Sequence, residues 1–312
     1  MTWCLVGSEM CIRDRLLIFL LSACTVETSK ISPQAETLEK KSRSTVTPDN
    51  HSHFLQILID NYLQKTPVKT TVNLTLSQAQ KVQEQYVLEM SKSLGKVVGY
   101  KAALTNQKAQ ERFNISEPLR GVLLEKMLWE NGSVISHKFG SHPMGEGDLI
   151  MRVGSTEINN AKTPRETLKY LDAVIPFIEL GDLVYSQDVK LDAPALLAIN
   201  VGARAGILGK PIPVADTDEW ENRLKSFRIE ILDENGKVLA SGNGSDLLGN
   251  PLNVVLWIKD SLQGEGKGLK KGDLLSLGSM TSFIPVKLNS TIRAKYIDLW
   301  PNQTVEIFVK FE

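Results

Sequence analysis

The residues best equipped for chemistry in this chain are acidic. In MGEGDLIMRV (144–153), Glu146 and Asp148 flank a single glycine at the mouth of an apolar run. On an extended strand alternate side chains share a face, so the two carboxylates would stand roughly 7 Å apart on one side. Two anions held that close repel, and burial would demand a shared proton or a hard cation with oxygen ligands. On its own such a pair is usually just a solvated strand face. Glu179 adds a third carboxylate within AVIPFIELGDLV (173–184), where Phe177, Ile178 and Leu180 argue for burial. A lone buried carboxylate is costly unless it is paired or metal-bound. A partly exposed Glu179 paired with Lys162 or Lys169 is the plainer alternative. With no Cys or His among the three, the donor set favours Mg²⁺ or Mn²⁺ over Zn²⁺.

These residues need elements to position them. Phe54, Leu55, Ile57, Leu58, Tyr62 and Leu63 recur at helical spacing and open the folded part. Ser77 with Gln80 reads as a capping box for a second helix, whose face is Val82, Tyr86, Val87, Met90 and Leu94 and whose stop is Gly95. KVVGYKAAL (96–104) reads as a strand. Thr163, Pro164 and Glu166 mark a strong helix start, and Pro176 should break that helix so that PFIEL becomes the next strand. In the last third, SFRIEIL and KVLASG flank DENG as a hairpin. Asn250 and Pro251 then start an amphipathic helix, and GDLLSLGS, TIRAKYI and TVEIFVKF supply three more strands. The expected fold class is α+β, with a large, curled, mostly antiparallel sheet.

The first 53 residues read differently. MCIRDR (10–15) is the peptide encoded by a transposon end ligated to DNA in a common library preparation, so residues 1–15 are expected to be translated adapter. LLIFLLSAC (16–24) is too short to span a bilayer as a helix and suits a signal-peptide core. It ends in Leu21-Ser22-Ala23-Cys24, which resembles a bacterial lipobox and implies signal residues 16–23 and lipidation at Cys24. Thr25 lacks the aspartate that often retains such lipoproteins in the inner membrane. The expected location is therefore the cell envelope, on the periplasmic face of the outer membrane. Residues 24–53 are too polar for a core and read as a tether, leaving 54–312 as the folded domain, with a helical part at 54–140 and a β-rich core at 141–312.

Composition narrows the partners. Thirty-six basic and 36 acidic side chains cancel, so no electrostatic footprint for nucleic acid or a membrane surface exists, and a lipid anchor would be the one membrane contact. Cys4, Cys11 and Cys24 are the three cysteines, so residues 25–312 hold no disulfide, thiolate metal site or thiol nucleophile.

Five blocks carry a family resemblance: GYKAALTN (99–106), MGEGD (144–148), PFIELGD (176–182), NGSDLLGNPLNVVLW (243–257) and KGDLLSLGSMTSFIPV (271–286). In order and spacing they resemble the 2-keto-4-pentenoate hydratases of the fumarylacetoacetate hydrolase superfamily, over residues 54–312. The resemblance implies that superfamily's β-roll, with Glu146, Asp148 and Glu179 as Mg²⁺ ligands and Lys101 as a positioned cation or proton shuttle. It places a turn at Gly278 and Ser279 near the substrate carboxylate, and Asn200 in the substrate site. It further implies a homo-oligomer and a 2-hydroxydienoate or 2-keto acid substrate of aromatic catabolism, chelated through its carboxylate and 2-oxygen, with water added at C4.

The chain also departs from the pattern. The family's Pro-Asp-Phe-Gly becomes Pro118, Leu119, Arg120 and Gly121, losing an acid proposed for proton transfer. Its Asn-Ala-Ser becomes Asn200, Val201 and Gly202, and the histidine of Leu-Gly-His-Pro becomes Asn250. Acylpyruvate hydrolysis, 2-oxo acid decarboxylation, and a non-catalytic envelope-anchored binding protein therefore stand beside hydration.

Overall fold

The computed structural model describes residues 48–312. The expected adapter segment, signal peptide, Cys24 lipidation site and most of the tether lie outside the described residues.

Helix α1 (Pro48–Gln64) starts six residues before Phe54, with a proline in the first turn, where a missing amide hydrogen costs nothing. The folded part thus takes in the end of the expected tether. Helix α2 (Leu76–Leu94) is capped by Thr75 instead of Ser77: its hydroxyl accepts from the Gln78 amide at 3.2 Å, and the Gln78 side chain accepts from the Thr75 amide at 2.9 Å. Gly95 ends the helix at φ 85°. Short helices α3 (Gln107–Phe113), α4 (Pro164–Thr167), α5 (Ala193–Ala198) and α6 (Asp218–Ser226) precede α7 (Pro251–Gly264), which Asn250 caps by accepting from Leu252 N at 2.9 Å. No helix among the described residues is long and apolar enough to cross a membrane.

The strands, in chain order, are β1 (Val97–Ala103), β2 (Leu119–Leu124), β3 (Leu128–Glu130), β4 (Val134–Ile135), β5 (Pro143–Val153), β6 (Leu171–Asp182), β7 (Ala205–Leu208), β8 (Ile212–Pro213), β9 (Arg228–Leu232), β10 (Val238–Asn243), β11 (Leu274–Ser276), β12 (Ile284–Pro285), β13 (Thr291–Trp300) and β14 (Gln303–Phe311). The larger sheet runs β2-β1-β11-β5-β6-β7-β3, with β12 on β5 and β8 on β6. The smaller runs β10-β9-β13-β14-β4. Pairing is mostly antiparallel; β1 with β11, β3 with β7 and β4 with β14 are parallel. The α+β class with a curled sheet and flanking helices holds.

Two local expectations change. The helix opened by Thr163 lasts one turn, passes through a 3₁₀ turn at Leu168–Tyr170 and gives way to β6 five residues before Pro176. Proline fits inside β6 because β8 pairs with Ala173 and Val174 while β7 pairs with residues 177–180, so Pro176 falls in the gap between them. No neighbour there needs its amide, and its carbonyl still accepts from Gly209 N at 2.8 Å.

Gly147 is explained by sheet packing. A Cβ on it would lie 2.4 Å from Ile229 Cδ1 of β9, and one on Gly145 would lie 2.5 Å from Ile292 Cδ1 of β13. β5 stays regular here, and its glycines let the two sheets pack closely on the face away from the carboxylates. The shared core between the sheets includes Leu149, Ile178, Ile229, Ile231, Ile292 and Tyr296, while α1, α2 and α5 form a second core over β2.

Candidate active site

β5 and β6 bring the acidic residues together. Glu146 pairs directly with Glu179 across the ladder and Asp148 with Phe177, so the three carboxylates occupy neighbouring positions on one face. All are buried, with Glu146 the most accessible at 7%. Curling of the larger sheet carries Lys101 on β1 across to Glu179, and the two form a buried ion pair. The Lys101 ammonium also donates to the Val201 carbonyl at 3.3 Å. Glu179 thus pairs with a lysine, and that lysine is neither Lys162 nor Lys169.

One ammonium faces three carboxyl groups, and the imbalance shows in their protonation. Burial first, then the Glu179 charge, push the Glu146 carboxyl well above its ordinary value; Lys101 and the nearby Ser279 hydroxyl pull the other way. The same two causes push Asp148 up to about 8, against hydrogen bonds that favour its charged form. Those bonds come from the Ser276 hydroxyl to Oδ2, and from Leu149 N at 2.5 Å and Leu277 N at 3.2 Å to Oδ1.

Asp148 is turned onto these donors and Glu179 onto Lys101. Accordingly, no three His, Cys, Asp or Glu side chains among the described residues converge as a ready ligand set. In chemistry the three carboxyl groups nonetheless fit a hard divalent cation, being oxygen donors that become anionic as a cation displaces their protons. Glu146 Oε2 is buried with no hydrogen-bond partner, which is the atom a cation would satisfy.

The substrate-site residues divide. Gly278 takes φ 97° in a turn against β1, where a Cβ would lie 2.6 Å from Thr105 Oγ1. Ser279 closes that turn by donating to the Thr281 carbonyl at 2.6 Å and borders Glu146. Asn200 is engaged with its neighbours: its amide group donates to Val122 O at 2.9 Å and accepts from Val122 N at 2.8 Å and Gln83 Nε2 at 3.2 Å. Both ends of the side chain are engaged on β2, so it clamps the turn that presents the Val201 carbonyl to Lys101. Leu119 packs into the helical core, Arg120 pairs with Glu265, and Glu117 is exposed, so none of them replaces the missing acid.

The sequence assigns no role to two residues near the carboxylates. Ser276 belongs to a short strand whose inward positions read simply as core, and Tyr296 looks like an ordinary strand aromatic. A cavity of about 10 Å³ beside Lys101 and Glu179, with mostly apolar walls, has room for about one water. A larger cavity of about 350 Å³, bounded by Gln80, Tyr100, Arg120, Leu262 and Glu265, lies on the other face of β1, since Tyr100 and Lys101 alternate along it.

A 4-oxalocrotonate decarboxylase from Pseudomonas putida G7, in a structure complexed with magnesium and adipate, superposes with a TM-score of 0.75 at 21% identity, covering 86% of this chain and 100% of that one. The chain shares that decarboxylase fold. In sequence it is 28% identical over 198 residues to a 2-keto-4-pentenoate hydratase of Paraburkholderia xenovorans LB400, covering 62% of this chain and 71% of the hydratase. It is 26% identical over 202 residues to a 4-oxalocrotonate decarboxylase of Pseudomonas sp. CF600, covering 64% and 74%. In sequence, then, the chain is similar over about two thirds of its length to proteins named hydratase and decarboxylase. No family model matches the chain.

Proposed function

We propose that this protein is a divalent-cation-dependent lyase that adds water to a small 2-hydroxydienoate to give a 4-hydroxy-2-keto acid. The observation that carries the reading is the buried group of Glu146, Asp148 and Glu179, opposed by a single lysine and holding the unpartnered Glu146 Oε2. Those three residues would hold Mg²⁺ or Mn²⁺. A cation bound there supplies Lewis-acid polarisation of the substrate's 2-oxygen. Lys101 Nζ, fixed by Glu179 and the Val201 carbonyl, is a preorganised positive charge that can hold or deliver a proton beside the reacting carbon chain. The Gly278–Ser279 turn, bordering Glu146, would orient the substrate carboxylate. Apolar walls that admit about one water beside Lys101 limit competing solvent. The similar proteins, a hydratase and a decarboxylase by name, agree with a small-acid substrate.

One observation favours decarboxylation of a 2-oxo acid on the same cluster: the acid that water addition would use is replaced by Leu119, which is buried in apolar surroundings. Incubation with Mg²⁺ separates the two. Hydration predicts loss of the dienol ultraviolet absorbance of 2-hydroxypenta-2,4-dienoate and a 4-hydroxy-2-keto acid by NMR. Release of carbon dioxide from 4-oxalocrotonate, with the dienol untouched, would favour the second reading. A cation-loaded protein inert toward both, and toward acylpyruvates, would leave an envelope binding protein. That location is a separate proposal resting on Leu21–Cys24. It predicts partition into the detergent phase that is lost in Cys24→Ala, and a wild type confined to the aqueous phase would refute it.

A further inference from the structure

Tyr296 is fully buried on β13 of the smaller sheet, yet its hydroxyl lies within the ladder of the larger one. The oxygen is 2.7 Å from the Asp148 carbonyl, 2.7 Å from the Phe177 carbonyl and 2.9 Å from the Phe177 amide, which donates to it. Asp148 and Phe177 are direct ladder partners, so one side chain reaches three of the pair's four main-chain polar groups. A phenol has a single hydrogen to give, which one of the two carbonyls accepts at a time.

The hydroxyl is held from its own side of the core. Tyr296 pairs with Ile229 and Val305 on its two neighbouring strands, and its ring stacks on Phe227 with centroids 6.3 Å apart. Its position is therefore set by the smaller sheet. The Asp148–Phe177 pair cannot draw together into a purely direct exchange of main-chain hydrogen bonds without expelling that oxygen. The adjacent pair along the same ladder on that face is Glu146 with Glu179.

We propose that Tyr296 is a positioning residue: its hydroxyl sets the separation of β5 and β6 where they carry Glu146, Asp148 and Glu179, and thereby tunes the affinity of the cluster for a divalent cation. The affinity part rests on the cation reading above. The spacing part does not. Phenylalanine keeps the ring and its packing while removing only the oxygen, and the main-chain groups it leaves can bond to one another across the ladder. A purely structural tyrosine would change melting temperature and leave affinity alone.

The test is isothermal titration of Mn²⁺ into the full chain and its Tyr296→Phe variant, with crystal structures of both. The expected result is affinity weakened by about 10-fold or more, the scale typical of residues that orient metal ligands, together with a contracted Asp148–Phe177 spacing. Affinity within about two-fold of the parent would overturn the proposal. If the parent binds no Mn²⁺, the cation reading fails by itself, and the crystal structures still decide the spacing: contraction supports it and an unchanged ladder overturns it. Should Tyr296→Phe not fold, Phe227→Leu, which loosens the stacked ring and retains the hydroxyl, is expected to weaken Mn²⁺ binding, and parent-like affinity would count against the proposal.

Discussion

Lys101 and Glu179 form a buried ion pair although the strands that carry them, β1 and β6, have β11 and β5 between them in the sheet. Only a strongly curled sheet allows that contact. Removing one partner of a buried pair leaves an uncompensated charge and costs about 3–5 kcal/mol. Lys101→Met should therefore destabilise the protein by an amount in that range at alkaline pH. Urea unfolding at about pH 8 measures the loss, and a variant as stable as the parent would contradict the charge account.

The raised carboxyl groups give the cation-free protein an unusual pH dependence. Below about pH 4 both folded and unfolded chains keep the Asp148 proton. From there up to about 8 the folded chain keeps it while the unfolded chain releases it, so stability falls as pH rises through that window. Glu146, shifted in the same direction, adds to the slope. A divalent cation competes with these protons, so its stabilising effect should grow with pH. Melting temperatures with and without Mg²⁺ at about pH 5.5 and about pH 8 test this, and a cation effect that is larger in acid would contradict it.

Gly147→Ala should destabilise by about 1–3 kcal/mol through overpacking against Ile229. Because the atom struck is the end of a side chain, Ile229→Val should recover part of the loss in the double variant. Denaturant midpoints of the four proteins in that cycle provide the check.

Asn200→Ala should cost about 1–3 kcal/mol by leaving the Val122 amide and carbonyl without their partner. Asn200, Val201 and Gly202 all have positive φ, at 56°, 49° and 73°, a conformation a β-branched valine adopts only under constraint. Release of the clamp should also displace the Val201 carbonyl from Lys101 and lower turnover. Calorimetry reads the first effect and steady-state kinetics the second.

Much of this was legible in the sequence because alternation places Glu146 and Asp148 on one face and apolar neighbours bury Glu179. What periodicity could not supply was register. The pairing of Glu146 with Glu179, and the gap between β7 and β8 that lets Pro176 sit inside a strand, depend on which strands become neighbours. A proline read locally ends a helix; here tertiary pairing extends the strand through it. The hydrogen bonds of Asn200 to β2 are invisible locally for a similar reason, since a buried amide can serve backbone as readily as substrate. Ser276 and Tyr296 act on Asp148 from other strands; Ser276 lies within the 271–286 block and Tyr296 within an ordinary strand, and neither side chain is singled out locally.

The central claim is that Glu146, Asp148 and Glu179 jointly hold a divalent cation at which a 2-keto acid binds. The most direct measurement is anomalous diffraction from crystals soaked with Mn²⁺ and oxalate. The prediction is a single strong peak bounded by these three carboxylates, with oxalate between the ion and the Gly278–Ser279 turn. Crystals that take up Mn²⁺ elsewhere, or show no peak in this cluster, would contradict it.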